Sequence, residues 1–237
     1  MKRKLTFGIV TLGSLLAVLP LFSAFEAHVI NVVAQIENAL YVHPESRNFG
    51  TVFPQEYREM GIFVTFSESF SASDQTRVSK VDYDIKQKPK PRPLFEEDIG
   101  VEAARLWCHD NYPIAEYDGN APEWQEYLTK CYPLLCPYLS KTPANLDKND
   151  VGVPPFHNPF ATSSVAHGKI NKNGAHVGDN WVIDLAVPCF TGQCAQDWAD
   201  FVHAHNPIAD PKLYTLPNEL EHEIFGCDLW IEVTKIY

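Results

Sequence analysis

Alternating apolar and polar positions near the start of the chain predict a β-strand. Residues 24–40 have a period of two, with polar residues such as Asn31 and Gln35 between the apolar ones. This period is typical of a strand that buries one face. The apolar positions of this strand are Ile30, Val32, Ala34 and Ile36. The strand can pair within its own domain or reach into a neighbouring molecule.

The same period recurs in four later segments, near residues 60–66, 81–85, 181–187 and 229–233. Several short alternating strands with irregular connections predict an all-β fold, namely an antiparallel sandwich of jelly-roll or Ig-like type. The apolar positions of these strands are Ile62, Val64, Phe66, Val81, Tyr83, Ile85, Trp181, Ile183, Leu185, Val187, Leu229, Ile231 and Val233.

The connections between these strands are predicted to be mostly loops. Residues 41–47 and 67–76 are polar, and residues 150–180 are rich in Gly, Pro, Asn and His. Residues 198–205 have the spacing of one short helix, and Pro217 opens a second short helix or turn.

Residues 94–150 differ in character and are predicted to be a helical insertion between strands. The prolines at alternate positions in residues 88–93 end the preceding strand in an extended linker, although such a tract could also serve as a recognition ligand. Apolar residues follow at helical spacing, and each predicted helix ends near a cysteine, Cys108 or Cys131. We therefore expect these two cysteines to pair, which would make the insertion disulfide-stapled.

The six cysteines and the N-terminus both point to export. Residues 2–4 are basic, residues 5–22 are apolar, and small residues follow, which is the layout of a secretory signal peptide over residues 1–27. A retained membrane anchor is the alternative, because the apolar run could just cross a bilayer. An even set of cysteines in an exported protein predicts disulfides, and a bridge from Cys189 to Cys194 would close a short loop. The set is Cys108, Cys131, Cys136, Cys189, Cys194 and Cys227.

The mature chain is therefore predicted to be one β-sandwich domain over residues 28–237, secreted or held at the cell surface. The full chain has a formal net charge of −11. Removal of residues 1–27 takes away three positive charges (Lys2, Arg3 and Lys4) and one negative charge (Glu26), leaving about −13. Such an acidic surface argues against nucleic acid or an anionic membrane as a partner.

No motif for catalysis or cofactor binding is complete, and we expect neither a cofactor nor a metal. His222-Glu223 lacks the second histidine that a zinc-protease helix carries one turn further on. Residues 147–152 resemble part of a calcium loop, but Asn158 stands where the loop needs its closing glutamate. His157, His167, His176, His203 and His205 could converge on a metal, which would be an alternative site.

The opening of the chain combines a predicted signal peptide that leads into a strand with a Gly/Pro-marked turn and a second strand. The turn reads Asn48-Phe49-Gly50-Thr51-Val52-Phe53-Pro54-Gln55-Glu56. Over residues 1–90 this arrangement resembles the TasA/camelysin family of exported sandwich proteins. Gln55 stands where that family commonly has Gly, and the cysteine-rich insertion is not typical of it. Membership would imply a jelly-roll subunit of extracellular matrix fibres, joined when an N-terminal strand completes the next subunit's sheet. It would also carry camelysin's peptidase label, for which this sequence has no motif.

These observations lead to three hypotheses. The first is a non-enzymatic exported protein that self-associates into fibres by N-terminal donor-strand exchange through Ile30, Val32, Ala34 and Ile36. The second is a monomeric binding or adhesion module that uses aromatic loops at residues 132–138 and 156–160. The third is a secreted hydrolase whose site assembles from dispersed His, Asp and Glu residues.

Overall fold

A computed structural model describes residues 38–72, 76–114, 117–144, 150–174 and 177–237. The chain from Asn38 to Tyr237 forms one compact unit. The predicted signal peptide and residues 24–37 of the predicted first strand, with Ile30, Val32, Ala34 and Ile36, lie outside the described residues.

Seven strands and five α-helices make up the described part of the chain. The strands are β1 (Leu40–His43), β2 (Tyr57–Phe66), β3 (Lys80–Lys88), β4 (Thr142–Pro143), β5 (Ala166–Asn171), β6 (Gly178–Ala186) and β7 (Asp228–Ile236). The α-helices are α1 (Glu68–Ser71), α2 (Pro93–Ile99), α3 (Val101–Asp110), α4 (Pro122–Lys130) and α5 (Trp198–His205). Short 3₁₀ turns occupy Cys136–Tyr138, Thr162–Ser164, Pro211–Tyr214 and Asn218–Leu220.

The strands form two antiparallel sheets, with the orders β1-β2-β6-β4 and β5-β3-β7. The apolar face of each central strand points into one hydrophobic core between the sheets. Along β2, for example, Ile62, Val64 and Phe66 are buried while the residues between them are more exposed. The predicted antiparallel sheets are confirmed, and the helices that accompany them give a sheet-rich fold.

Backbone hydrogen bonds join the two sheets along one side of the core. Lys141 and Val153 exchange both of their backbone hydrogen bonds, each at 2.8 Å, next to β4. Val151 and His167 do the same at 3.0 and 2.9 Å, and His167 belongs to β5. Residues 151–153 therefore act as a short extra strand between the sheets. Gly152 is required there because a Cβ atom would lie only 2.7 Å from the Lys141 carbonyl oxygen.

A buried polar contact also joins the sheets through the middle of the core. The Tyr83 hydroxyl on β3 donates to an Asp179 carboxylate oxygen at 2.6 Å and accepts from Trp181 Nε1 at 2.7 Å, both on β6. Tyr83 and Trp181 are each 1% exposed. Burial, followed by the neighbouring Asp179 charge, raises the pKa of Tyr83 well above its ordinary value, so the hydroxyl remains a donor.

The disulfide that the helical spacing predicted within the insertion is confirmed. Cys108 at the end of α3 is bonded to Cys131 just after α4, beneath an aromatic cluster that includes Trp124 and Tyr127. A second bridge, Cys136–Cys227, joins the end of the insertion to the residue before β7. The third bridge, Cys189–Cys194, closes the short loop that the sequence indicated. The last residues of the insertion belong to the first sheet, where β4 pairs with β6.

Three connections that were predicted to be loops contain regular structure. Leu40–His43 forms β1, although residues 41–47 were predicted to be a polar connection, and Glu68–Ser71 forms a helical turn within the polar loop at 67–76. Within residues 150–180, Ala166–Asn171 forms β5. Its buried face consists of Ala166, Gly168 and Ile170, and the first two are too small to produce an obvious apolar alternation. Gly168 is required because the Tyr83 ring occupies the space of a side chain.

Replacing Tyr83 with phenylalanine should weaken the contact between the sheets. The change removes the hydroxyl and leaves buried polar atoms of Asp179 and Trp181 without it, so we expect the free energy of unfolding to fall by about 1–3 kcal/mol. Urea unfolding followed by Trp fluorescence measures this. The matched control is Tyr237→Phe, which removes an exposed Tyr hydroxyl that donates to Asp82 at 2.8 Å. An equal loss in both variants would contradict a special role for the buried contact.

Candidate functional site: an open groove between two sheet edges

In the described part of the chain, the side of the sandwich opposite the backbone bridges is open. Among the described residues, β1 pairs with β2 alone and β7 pairs with β3 alone. Each strand therefore has an edge without a strand partner in the described part of the chain. We call the opening between these two edges the seam. Unpaired strand edges expose backbone donors and acceptors that can pair with a further strand.

The hydrophobic core is less well covered along the seam than elsewhere. On the central strands the core residues are at most 7% exposed, namely Ile62, Val64, Phe66, Val81, Tyr83, Ile85, Trp181, Ile183 and Leu185. On β1 and β7 the corresponding inward-facing residues pack against the same core but are only partly buried. These seam residues are Leu40, Val42, Leu229, Ile231 and Val233. An additional strand at the seam would complete their burial.

A groove of about 830 Å³ occupies the seam near the end of β1 and the beginning of β7. Its apolar lining comes from both sheets and from the end of the insertion. The apolar residues that line it include Val42, Ile62, Leu135, Leu139, Ile183, Leu229 and Ile231. A groove with this lining suits apolar side chains, and the edges beside it suit an extended backbone.

The helical insertion forms one wall of the groove mouth. Lys90, Glu102 and Arg105 line the groove, and Arg105 donates to an Asp228 carboxylate oxygen at 3.0 Å. Lys90 lies 3.9 Å from the same carboxylate. Together with the Cys136–Cys227 disulfide, the Arg105–Asp228 ion pair fixes the insertion beside the first residue of β7.

Residues 44–54, which we call the strap, contribute to the lining of both the groove and a second cavity of about 790 Å³. The strap is held in part by Arg47, whose guanidinium donates to the Gly61 carbonyl oxygen, with the Nε contact at 2.9 Å. Gly61 lies on β2 beyond the four residues that pair with β1, so Arg47 provides a donor for a carbonyl that β1 does not reach. The second cavity is mainly apolar and is lined by the strap, the end of β6 and residues 216–225.

On the closed side of the sandwich lies a buried lysine. Lys141 is 0% exposed, and its ammonium donates to the Ser164 carbonyl oxygen at 3.0 Å. Burial lowers the pKa of Lys141 to about 7. Nearby, His157 Nδ1 donates to the Pro154 carbonyl oxygen at 2.8 Å, and its Nε2 contacts the Gln87 side-chain amide. Burial, followed by the Lys141 charge, lowers the pKa of His157 to about 3.

The histidines and acidic residues considered for metal binding do not form a site in the described structure. His222 lies in an exposed turn with φ of 69°, not on a helix. His167 contacts Asp84 at 2.7 Å, and His205 donates to the Phe201 carbonyl at 2.8 Å. Within the described residues no group of three His, Cys, Asp or Glu side chains could hold a metal ion. His176 and residues 147–149 of the acidic loop lie outside the described residues.

The aromatic loops proposed for an adhesion module are largely part of the core. Tyr138 is 7% exposed and Phe156 is 1% exposed, and their rings pack edge to face. Phe160 is the more exposed member of these loops. The proline tract is also packed into the structure, since Pro89 is fully buried and Pro91 forms a bridge with Cys131. The interpretation of this tract as an exit from the sheet fits these contacts.

The seam is the feature that sequence patterns did not reveal. The period of two identifies Leu229, Ile231 and Val233 as one buried face, but it does not say that β7 is an edge strand. Likewise, β1 carries the alternation Leu40, Val42 within a segment that is otherwise polar. The predicted donor residues Ile30, Val32, Ala34 and Ile36 immediately precede this strand in the sequence and lie outside the described residues.

Comparison of the chain with family models, curated proteins and solved structures gives no match. Within the described residues, no helix has the length and apolar character needed to cross a membrane.

Replacing Lys141 with methionine should change how stability depends on pH. Unfolding returns the pKa of Lys141 from about 7 to its ordinary value of 10.5, so between these values the unfolded chain binds more protons. The free energy of unfolding should therefore rise with pH in this window, by up to about 1.4 kcal/mol per pH unit. Below pH 7 the amine is charged in both states, and the full cost of burying that charge lowers the stability of the folded chain.

Urea unfolding at pH 7 and pH 9 tests this expectation. The Lys141→Met variant should be more stable than the native chain at pH 7 and should lack most of the rise of about 2 kcal/mol between the two values. Lys212→Met, at an exposed position, is the matched control and should keep the rise. A rise of the same size in the Lys141→Met variant would show that another group causes it.

Proposed function

We propose that this protein is an exported, non-enzymatic subunit of cell-surface or extracellular matrix fibres. In this proposal the strand at residues 28–37 of one subunit enters the seam of the next subunit. The observation that carries the proposal is the seam itself, with two unpaired strand edges beside partly buried core residues. Three disulfides are consistent with a protein that works outside the cytosol.

We further propose that the sandwich is Ig-like rather than a jelly roll. An Ig-like domain places strands A, B, E and D in one sheet and C, F and G in the other. The order β1-β2-β6-β4 corresponds to A-B-E-D, and β3-β7 corresponds to C-F, with β5 as an additional strand beside C. On this assignment, strand G would lie beside β7, which is where the seam is open. The donor strand would take the place of G.

The donor segment suits this position in length and in pattern. It has ten residues, and β7, along which it would pair, has 9. Its apolar residues alternate, so Ile30, Val32, Ala34 and Ile36 would all face the core while the backbone pairs with the strand edges. Burial of each larger side chain contributes about 1–2 kcal/mol. Antiparallel pairing with β7 matches the direction of strand G and is the commoner arrangement.

This arrangement produces a filament for geometrical reasons. The donor segment and the groove are different surfaces of the same chain, so the contact is head-to-tail and leaves a free groove and a free donor at opposite ends. Unless a ring closes, each added subunit offers the same two surfaces again. The similarity of the opening of the chain to the TasA/camelysin family agrees with this proposal, and we propose that the chain is related to that family.

Placing a charge on the inward face of the donor segment should abolish filaments. In Val32→Asp the carboxylate would be buried at the seam, which costs about 3 kcal/mol or more for each junction and raises the critical concentration at least about 100-fold. The matched control, Asn31→Asp, puts the same charge on the outward face and should still assemble. Electron microscopy and sedimentation of the mature protein measure the result.

A mixing experiment identifies the groove as the acceptor. Ile231→Asp should damage the groove but leave the donor segment intact, whereas Val32→Asp does the reverse. Neither variant should form filaments, but an equimolar mixture should form heterodimers with one productive junction. Filaments from Val32→Asp alone, or from mature protein without residues 28–37, would refute donor-strand exchange. Circular dichroism of each variant checks that the fold is retained.

A further inference from the structure

We infer that the helical insertion provides a second contact between subunits, and that its exposed apolar surface packs against the end of a second copy's sandwich. This inference rests on the proposed function. We call the surface formed by Leu94, Ile99, Val101 and Leu106 the shoulder. We call the surface around Ile236 and Tyr237, at the end of the sandwich where β1 begins, the tail.

The shoulder is an unusually exposed group of large apolar residues on two short helices. Leu94 and Ile99 of α2 are 80% and 42% exposed, and Val101 and Leu106 of α3 are 44% and 62% exposed. The disulfide Cys108–Cys131 and the aromatic cluster hold these helices on their other side. The exposed residues therefore contribute little to the core of the insertion itself.

The shoulder is continuous with the mouth of the groove. Glu102 and Arg105 of α3 line the groove. Helical spacing places Leu106 one turn after Glu102 and Val101 one turn before Arg105, so all four side chains lie on one side of the helix. Because Arg105 is paired with Asp228, this side of α3 lies next to the first residue of β7.

The length of the connection forces the two subunits into contact at this mouth. A donor segment antiparallel to β7 has its C-terminal end near Asp228, beside the insertion. Only Asn38 and Ala39 separate residue 37 from the first residue of β1. Three extended residue-to-residue steps span about 11 Å at most. The end of the donor subunit's sandwich, where β1 begins, must therefore lie within that distance of the mouth.

The tail of the donor subunit is complementary to the shoulder in polarity and charge. Ile236 and Tyr237 are 52% and 43% exposed, and backbone hydrogen bonds between Tyr237 and Lys80 hold them at this end. The ammonium groups of Lys80 and Lys235 lie 4.3 and 4.4 Å from the Tyr237 ring centre. The shoulder has acidic neighbours instead, at Glu96, Glu97, Asp98 and Glu102. Asp82 lies among these groups, 2.8 Å from the Tyr237 hydroxyl and 3.7 Å from the ammonium groups of Lys80 and Lys169, so the lysines outnumber the carboxylate. In the inferred contact, an apolar surface with mainly basic neighbours would meet an apolar surface with acidic neighbours, which favours a second copy of this chain as the partner.

The test compares a shoulder variant with a matched control in the mature chain. The double variant Leu94→Ser/Leu106→Ser should raise the critical concentration for filament formation at least about 10-fold, because the second contact is lost at every junction. Ile114→Ser/Ile208→Ser is the control, since both isoleucines are 94% exposed and lie outside the shoulder. The control should assemble like the native chain, and sedimentation and electron microscopy give the readout.

A second measurement separates the shoulder from the groove. A synthetic peptide of residues 28–37 is titrated into the non-assembling Val32→Asp chain, with and without the shoulder changes. We expect the same dissociation constant within about twofold, because neither Leu94 nor Leu106 lines the groove. Peptide binding together with native assembly of the shoulder variant would overturn the inference and leave the proposed function intact. Absence of peptide binding would overturn the proposed function, and this inference with it.

Discussion

Backbone hydrogen bonding on one side of the sandwich determines what the opposite side can do. Residues 141, 151, 153 and 167 join the sheets through paired backbone groups, so β4 and β5 are not free edges on that side. Among the described strands, β1 and β7 keep a free edge, and both pack against the same core. The core is well covered on the closed side, so a further strand would bury more apolar surface on the side of β1 and β7. The groove lies on that side.

The same asymmetry appears in the polar groups that the core encloses. Tyr83, Asp179 and Trp181 satisfy one another between the sheets, and Lys141 lies on the closed side despite the cost of burying an amine. The seam contains apolar residues on its floor, and its charged residues lie at the mouth, where Arg105 and Lys90 surround Asp228. An extended segment with alternating apolar residues meets both requirements of the seam, since it provides a backbone for the edges and side chains for the floor.

Sequence patterns predicted the central strands and the helices well because these elements carry strong local signals. Trp124, Tyr127 and Cys131 repeat at helical spacing, and this spacing also predicted the Cys108–Cys131 disulfide. The Cys136–Cys227 bridge joins residues 91 apart and depends on how the insertion returns to β7, which no local pattern records. β5 was missed because Ala166 and Gly168 are small where Tyr83 needs space. Sheet order, and with it the seam, depends on long-range pairing and could not be predicted from periodicity.

The helical insertion beside the seam gives a way to select the partner that a strand edge alone does not give. An unpaired edge accepts any strand that presents backbone donors and acceptors, so an edge alone selects its partner poorly. At this seam the mouth has a fixed wall, because Arg105–Asp228 and Cys136–Cys227 attach α3 beside β7. In the proposed assembly the entering strand belongs to a subunit whose body has to fit beside this wall, because only Asn38 and Ala39 separate that strand from β1. Selectivity in assembly would then come from the body of the incoming subunit as well as from its strand.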